Sequence, residues 1–164
     1  MLKVLPFQAS YATPLRALLV NTVRCVCQHD YSAAQIDAWA APDYDHDAWL
    51  KRLTQNQPMV AVLTSNMASP EAVPDIVGFA DVQADGYIDH FFCHADHQGS
   101  GIGRLLMLHI HELANQRGLT RLYSNVSITA RPFFEHYGFS VVREQQVRVR
   151  SEILTNYLMQ KSLR

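Results

Sequence analysis

Leu15, Leu18, Leu19, Thr22, Val23 and Val26 recur at i, i+3, i+4, i+7, i+8 and i+11, which predicts a helix that buries one face. Thr13-Pro14 ahead of them reads as an N-cap followed by proline at the first helical position, where its missing N–H costs nothing. Ser32-Ala33-Ala34-Gln35 has the form of a capping box, opening a short second helix that Pro42 stops after Trp39 and Ala40. The acid-rich stretch Asp43 to Asp47 leads into a third helical piece carrying Trp49, Leu50 and Leu53. The period changes after Pro58. Leu2–Pro6, Met59–Leu63, Ile76–Val82 and Tyr87–Cys93 read as short strands, the last two joined at Ala84-Asp85-Gly86 by an Asp-Gly hairpin signal. Ser65 to Asp75, rich in Pro, Ser, Asn and Ala, reads as a surface loop. Gly101–Arg117 carries the strongest helical stripe, with Ile102, Leu105, Leu106, Ile110 and Leu113 on one face and Gly118 as its stop. A strand at Leu122–Val126, a short helix at Pro132–Tyr137 and two strands at Val141–Val149 and Glu152–Met159 complete the pattern.

This order predicts one mixed α/β (α+β) domain over residues 1–164, with no internal repeat or linker. Its 164 residues, 48% hydrophobic and 18% charged, are ordinary for a globular chain of that size. Lys plus Arg number 14 against 15 acids, a formal net charge of −1, so bulk charge recruits neither nucleic acid nor an anionic membrane. Cys25, Cys27 and Cys93 are odd in number and lack CxxC spacing, which argues for a reducing, cytoplasmic setting and against a disulfide framework. The apolar start, Met1 to Leu5, is too short for a signal peptide, and no apolar run approaches the ~18 residues of a membrane span.

The chemistry concentrates in Phe91-Phe92-Cys93-His94-Ala95-Asp96-His97-Gln98-Gly99-Ser100-Gly101-Ile102-Gly103-Arg104. A strand ends, a polar turn follows, and alternating glycines lead into a strong helix. Such glycines let the backbone approach a ligand and aim successive N–H groups at one point. The helix N-terminus adds free donors and partial positive charge, a combination suited to diphosphate. A P-loop is excluded because Gly103-Arg104-Leu105 lacks Gly-Lys-Ser/Thr. A Rossmann fingerprint is excluded because Leu106 stands where the third glycine belongs.

What remains, Gln98-x-x-Gly101-x-Gly103, resembles the acetyl-CoA signature Gln/Arg-x-x-Gly-x-Gly/Ala of the GNAT (GCN5-related) N-acetyltransferase superfamily. Phe91 to His97 resembles the family's preceding Leu-x-Val-x-Pro, with Cys93 for valine and Ala95 for proline. Ala130 to Phe139 resembles its Ala-x-x-Phe-Tyr-x-x-x-Gly-Phe. The resemblance spans nearly the whole chain. It implies a central, mostly antiparallel sheet of six to seven strands, splayed between strands four and five and flanked by about four helices.

It also implies a site. Backbone groups of Phe91 and Cys93 would meet the pantetheine arm, and N–H groups across Gln98, Gly99, Ser100, Gly101, Ile102, Gly103 and Arg104 the pyrophosphate. Phe133 and Phe134 would pack beside the cofactor or in the core, and Ser127 stands where many members carry a cofactor-contacting asparagine. The expected reaction is attack of an amine, small or on a peptide or protein, directly on the acetyl-CoA thioester. Tyr87 and Asp89 match the family's general-base positions. Asp89 is the better candidate, because a carboxylate takes a proton directly or through a water, and raising its pKa would need partial burial, while Tyr87 would face the substrate. Strand alternation turns His90 to the opposite face from Asp89. The family's usual acid, a tyrosine, is replaced by Phe134, leaving Tyr137 one turn on as its substitute. Tyr31 would line the acceptor pocket, Trp39 and Trp49 would be core, and the last two strands could pair across a homodimer. The alternatives are a catalytically degenerate acyl-CoA-binding partner domain, for which Phe134 speaks, and a metal site among His90, His94, His97, Asp89 and Asp96. Against the latter, no HExxH or Cys/His pairing appears, so no metal is expected.

Overall fold

A computed structural model describes residues 1–64, 69 and 74–164. The strands are β1 (Leu2–Pro6), β2 (Met59–Leu63), β3 (Asp75–Ala80), β4 (Tyr87–Ile88), β5 (Phe91–Cys93), β6 (Arg121–Ser127), β7 (Ser140–Val149) and β8 (Glu152–Ser162). The helices are α1 (Ala12–Val26), α2 (Ala33–Trp39), α3 (His46–Asn56), α4 (Ile102–Gln116) and α5 (Arg131–His136). The expected loop at Ser65 to Asp75 falls largely outside the described residues; Asp75 itself opens β3.

Two four-stranded sheets form, ordered β1-β2-β3-β5 and β4-β6-β8-β7. All pairings are antiparallel except β4 with β6. Strand parity assigns the core. Val60 and Val62 join Leu15, Leu19 and Val23 of α1 and Trp49 and Leu53 of α3 in one buried cluster. Ala61 between them joins Ile102, Leu106 and Ile110 of α4 in another. With helices on both faces, β2 reads as an unbroken apolar run rather than an alternating one. A Cβ on Gly78 of β3 would sit 2.7 Å from the Ile102 side chain, so α4 rides directly on the sheet there.

Helix α1 starts differently from the expectation. A 3₁₀ turn at Ala9–Tyr11 runs straight into it, so Thr13 lies inside the helix and caps nothing. Pro14 still falls in the first turn, where no backbone bond is lost. The capping box is formed as expected: Ser32 Oγ accepts from the Gln35 N–H at 3.1 Å and Gln35 Oε1 from the Ser32 N–H at 2.9 Å.

The expected strand Tyr87–Cys93 is instead divided. Its first part pairs with β6 and its last part with β3, and Asp89-His90 lies between. The cause is Asp81, 1% exposed, whose carboxylate accepts the Asp89 backbone N–H at 2.8 Å and binds His90 Nδ1 at 2.9 Å. The side chain takes the Asp89 N–H out of the ladder, while the Asp81 N–H still bonds His90 O, and the two sheets diverge. His90 consequently does not turn away from Asp89; its Nδ1 lies 3.6 Å from Asp89 Oδ2.

Candidate active site

The divergence leaves β5 with an open edge. His90 O accepts from Asp81 N–H at 3.1 Å and His94 N–H donates to Val77 O at 2.8 Å, so these even-numbered residues face β3. By alternation Phe91 and Cys93 turn their backbone groups to the open side. Thr22 Oγ1 and Gln98 Nε2 reach Cys93 O there, at 2.7 and 2.9 Å. Phe91 and the Cys93 N–H are left as ladder positions for an added extended chain.

The turn after β5 ends beside this edge. Gly99 and Gly101 adopt φ of 74° and 91°, conformations that glycine takes without steric cost. Within α4 the first backbone bond runs from Leu105 N–H to Gly101 O, so the N–H groups of Ile102, Gly103 and Arg104 are free of helical partners. A Cβ on Gly103 would lie 2.9 Å from Phe133 Cε2, which makes this glycine a contact between α4 and α5. Phe133 packs on Phe91 and Tyr137, with ring centroids 5.2 and 4.9 Å apart.

These pieces wall a cleft of about 410 Å³. It brings together Asp89, Phe91, Cys93, Gln98, Gly99, Gly101 to Arg104, Ser127, Phe133, Phe134 and Tyr137; Ser100, bonded through Oγ to His97 O, does not line it. A second chamber of about 340 Å³ is walled by Arg16, Tyr31, Arg52, Tyr87, His90, Leu154 and their neighbours. Trp39, Asp89, Phe92, Asn125 and Ser127 border both. One cavity offers backbone donors, the other charged side chains, and they meet at a carboxylate.

A family model for the GNAT acetyltransferase domain matches residues 27–161. The chain belongs to the GNAT family of N-acetyltransferases. An uncharacterized N-acetyltransferase of Escherichia coli, YafP, is 32% identical over 145 residues, covering 88% of this chain and 85% of the relative. The structure of a GCN5-related N-acetyltransferase from Rhodopseudomonas palustris superposes with a TM-score of 0.88 at 29% identity, covering 98% of this chain and 95% of that one. The PaiA N-acetyltransferase of Thermoplasma acidophilum, solved with coenzyme A, shares the fold at a TM-score of 0.73 and 14% identity, covering 99% of each chain.

Several side chains of this GNAT site have work besides the expected roles. Tyr31 is buried; its hydroxyl donates to Thr155 O at 2.6 Å and accepts the Ile128 N–H at 3.0 Å, and burial pushes its pKa up to about 12. It braces the chamber wall. Ser127 Oγ accepts the Ala130 N–H at 3.0 Å and shapes the entry to α5. Phe134, 2% exposed, packs edge-on to Phe91 and Phe139 as core. Tyr137 leans on Phe133 rather than Phe134 and borders the cleft. Burial pushes the Cys93 thiol up to about 12, which keeps it neutral.

Asp89 is partly buried, as a raised pKa would need, but its pKa is not raised. Burial pushes it up, but hydrogen bonds and charge from Arg52, with His90 and Asn56, outweigh this and hold it below its ordinary value. Arg52 grips both carboxylate oxygens, its Nε at 2.7 Å from Oδ2, and Asn56 Nδ2 adds a bond at 2.7 Å. Tyr87 is pushed up by burial first and then by the Asp89 charge. Among the described residues, one group of potential metal ligands closes up: Asp81, Asp89 and His90, with ligand atoms within 4.8 Å of one another. Arg52, Asn56 and the Asp89 N–H already donate to these carboxylates. His94 and His97 stack edge to face instead, and His94 Nδ1 accepts the Asp96 N–H at 3.1 Å.

Arg52, Asn56 and Asp81 were not among the expected site residues. They come from α3 and the end of β3, and no local motif marks them.

Proposed function

We propose that this GNAT protein transfers the acetyl group of acetyl-CoA to a primary amine, of a small molecule or a peptide, by direct attack on the thioester. The observation that carries the reading is the meeting of the two cavities at Asp89. The open β5 edge fits the pantetheine arm, and the N–H groups of the Gln98–Arg104 turn fit its pyrophosphate. This leads the thioester toward the junction. The acceptor enters through the second chamber, where the Asp89 carboxylate, held ionised, draws and orients its ammonium. Once the ammonium has given up a proton to a base at this junction, the amine nitrogen attacks the carbonyl carbon, the C–S bond breaks, the nitrogen loses its second proton, and Tyr137 at the cleft wall donates a proton to the departing sulfur. A thiolate with an ordinary pKa near 8.5 also leaves without that help, so Phe134 at the usual tyrosine position does not block turnover.

We place the protein in a reducing, cytoplasmic compartment, in keeping with its three free cysteines. No helix among the described residues is long and apolar enough to cross a membrane. In the β4-β6-β8-β7 sheet, β7 is an edge strand, and it is the surface on which we would seek a homodimer contact.

The test is a melting curve with acetyl-CoA, ATP or NAD, followed by thiol release with a panel of amines. Ligand at ~100 times its dissociation constant stabilises by about 2.7 kcal/mol, a rise of about 5–10 °C at this size. Such a rise with acetyl-CoA alone, together with amine-dependent thiol release, is expected. No rise would overturn the cofactor assignment. A rise without release from any amine would favour a binding domain over an enzyme.

A further inference from the structure

The buried pair Asp81–His90 is not used by the reaction as described. His90 is 4% exposed and clamped between aromatic rings, edge to face with Trp49 at 5.3 Å and tilted on Phe79 at 5.7 Å. Its Nδ1 meets Asp81 Oδ2 at 2.9 Å. Asp81 Oδ1 accepts the Asp89 N–H at 2.8 Å and Gln83 Nε2 at 3.3 Å, and Oδ2 also accepts Asn56 Nδ2 at 3.3 Å. A carboxylate surrounded by donors is an acceptor on both oxygens, so Nδ1 carries a proton, and in the neutral ring Nε2 carries the lone pair.

The ring borders the second chamber. Arg16 Nε is the one buried side-chain nitrogen or oxygen without a partner among the described residues. His90 Nε2 has no hydrogen bond among them either, so it is not sealed in, and the space His90 borders is the acceptor chamber. Asp89, next in sequence and 3.6 Å away, accepts from Arg52 and Asn56, which keeps it charged, so it attracts an ammonium but is a poor acceptor for its proton.

We propose that His90, oriented by Asp81, is the proton acceptor for the amine substrate. The inference rests on the N-acetyltransfer reading above. His90 Nε2 takes one proton from the ammonium bound at Asp89, which frees the nitrogen lone pair. The C–N bond forms at the thioester carbonyl, the C–S bond breaks, and the sulfur leaves with the electron pair. The second amine proton replaces the one that Tyr137 gives to the sulfur, and His90 returns its proton to solvent through the chamber. His90 is thus a catalytic residue and Asp81 a positioning residue. The charged and titratable groups around the imidazole are Asp81 beyond β3, Asp89 beside it, Tyr87 on β4, Arg52 on α3 and Arg16 on α1.

The first experiment is ¹⁵N-histidine NMR of the full chain saturated with coenzyme A, across pH. The expected result is a neutral His90 protonated at Nδ1, with Nε2 taking up the proton on acidification. An Nε2–H tautomer, or a ring that does not respond to pH, would overturn the proposal whatever amine is used. The second is thiol release with whichever panel amine the protein accepts. His90→Gln is expected to lower kcat/KM by about 100-fold or more, within the usual range for general acid–base groups, and to abolish the acid limb of its pH profile. Asp81→Asn should lower kcat more than it raises KM. The melting shift with acetyl-CoA should survive in both variants. Survival of the acid limb in His90→Gln, or its loss in Asp89→Asn instead, would assign the base elsewhere. Loss of the acetyl-CoA shift in wild-type protein would count against the enzyme reading and not against the tautomer.

Discussion

The turn from Gln98 to Arg104 lines one of the two cavities that meet at Asp89 and the second chamber is the other, and they are built from opposite materials. The turn works through backbone. Its donors are main-chain N–H groups, its shape comes from positive φ at Gly99 and Gly101, and all of it lies within seven consecutive residues. The chamber works through side chains, with Arg16 from α1, Arg52 from α3, Tyr87 from β4 and His90 from the divide before β5. A backbone site tolerates changes in neighbouring side chains but not changes in path. A side-chain site depends on each partner being present. Substitutions on the two sides should therefore fail in different ways.

The largest effect should come from bending the path. In Gly103→Val the new Cβ would lie 2.9 Å from Phe133 Cε2, and overpacking of this kind strains a structure by about 1–3 kcal/mol. The displacement also moves the Ile102, Gly103 and Arg104 N–H groups off their common point. We expect the acetyl-CoA melting shift to fall to near zero while the fold remains. Phe133→Leu added to the same chain makes room and should recover part of the shift. Equal loss in the double variant would mean that the glycine serves something other than this contact.

On the chamber side, Arg52→Ala should leave acetyl-CoA binding intact and cost stability instead. The Asp89 side chain is only 12% exposed while that of Arg52 is 54% exposed, so water replaces part of what is lost. The expected loss is about 1–2 kcal/mol at neutral pH, read from denaturant midpoints. Its sign with pH is fixed by the lowered Asp89 pKa. A carboxylate whose folded pKa lies below its ordinary value of 3.8 contributes stability that is complete above that value and is lost as pH falls through the folded one. Without Arg52, burial dominates and the Asp89 pKa rises, so acid no longer removes a benefit from the variant. The gap between wild type and variant should therefore narrow as pH falls from 6 through 3.8 and vanish only below the folded Asp89 pKa. A gap constant with pH would mean that Arg52 acts through packing rather than through Asp89.

The same contrast explains what could be read from the sequence. The element order was legible because periodicity is local, as was the turn, because its glycines and its helix start are neighbours. The chamber was legible only at Asp89, Tyr31 and Tyr87. Arg52, Asn56 and Asp81 become partners through the fold, and nothing in their own surroundings announces it. The misplacement of His90 has the same origin. Alternation assumes a continuous strand, and the carboxylate of Asp81, several residues away, takes the Asp89 N–H that would have continued it. The Thr13 cap failed more locally: the 3₁₀ turn before α1 supplies the helix start that a side chain would otherwise supply.

The smallest effect separates the two sides most finely. Gln35 holds the α2 capping box through Oε1 and also donates Nε2 to Ile153 O on β8 at 2.8 Å, beside the chamber-lining Leu154. Ser32→Ala removes the cap, at about 1 kcal/mol. Gln35→Glu keeps an oxygen for the Ser32 N–H and adds a favourable charge at the helix start, but it places a carboxylate against the Ile153 carbonyl. Helix propensity and capping alone would make the glutamate neutral or stabilising. If α2 instead serves to hold the β8 wall, it should destabilise by about 0.5–1.5 kcal/mol, the net worth of one hydrogen bond, and raise the KM for the amine without touching the acetyl-CoA shift. A stabilised Gln35→Glu protein with unchanged amine KM would show that the capping box belongs to α2 alone and that the chamber wall stands without it.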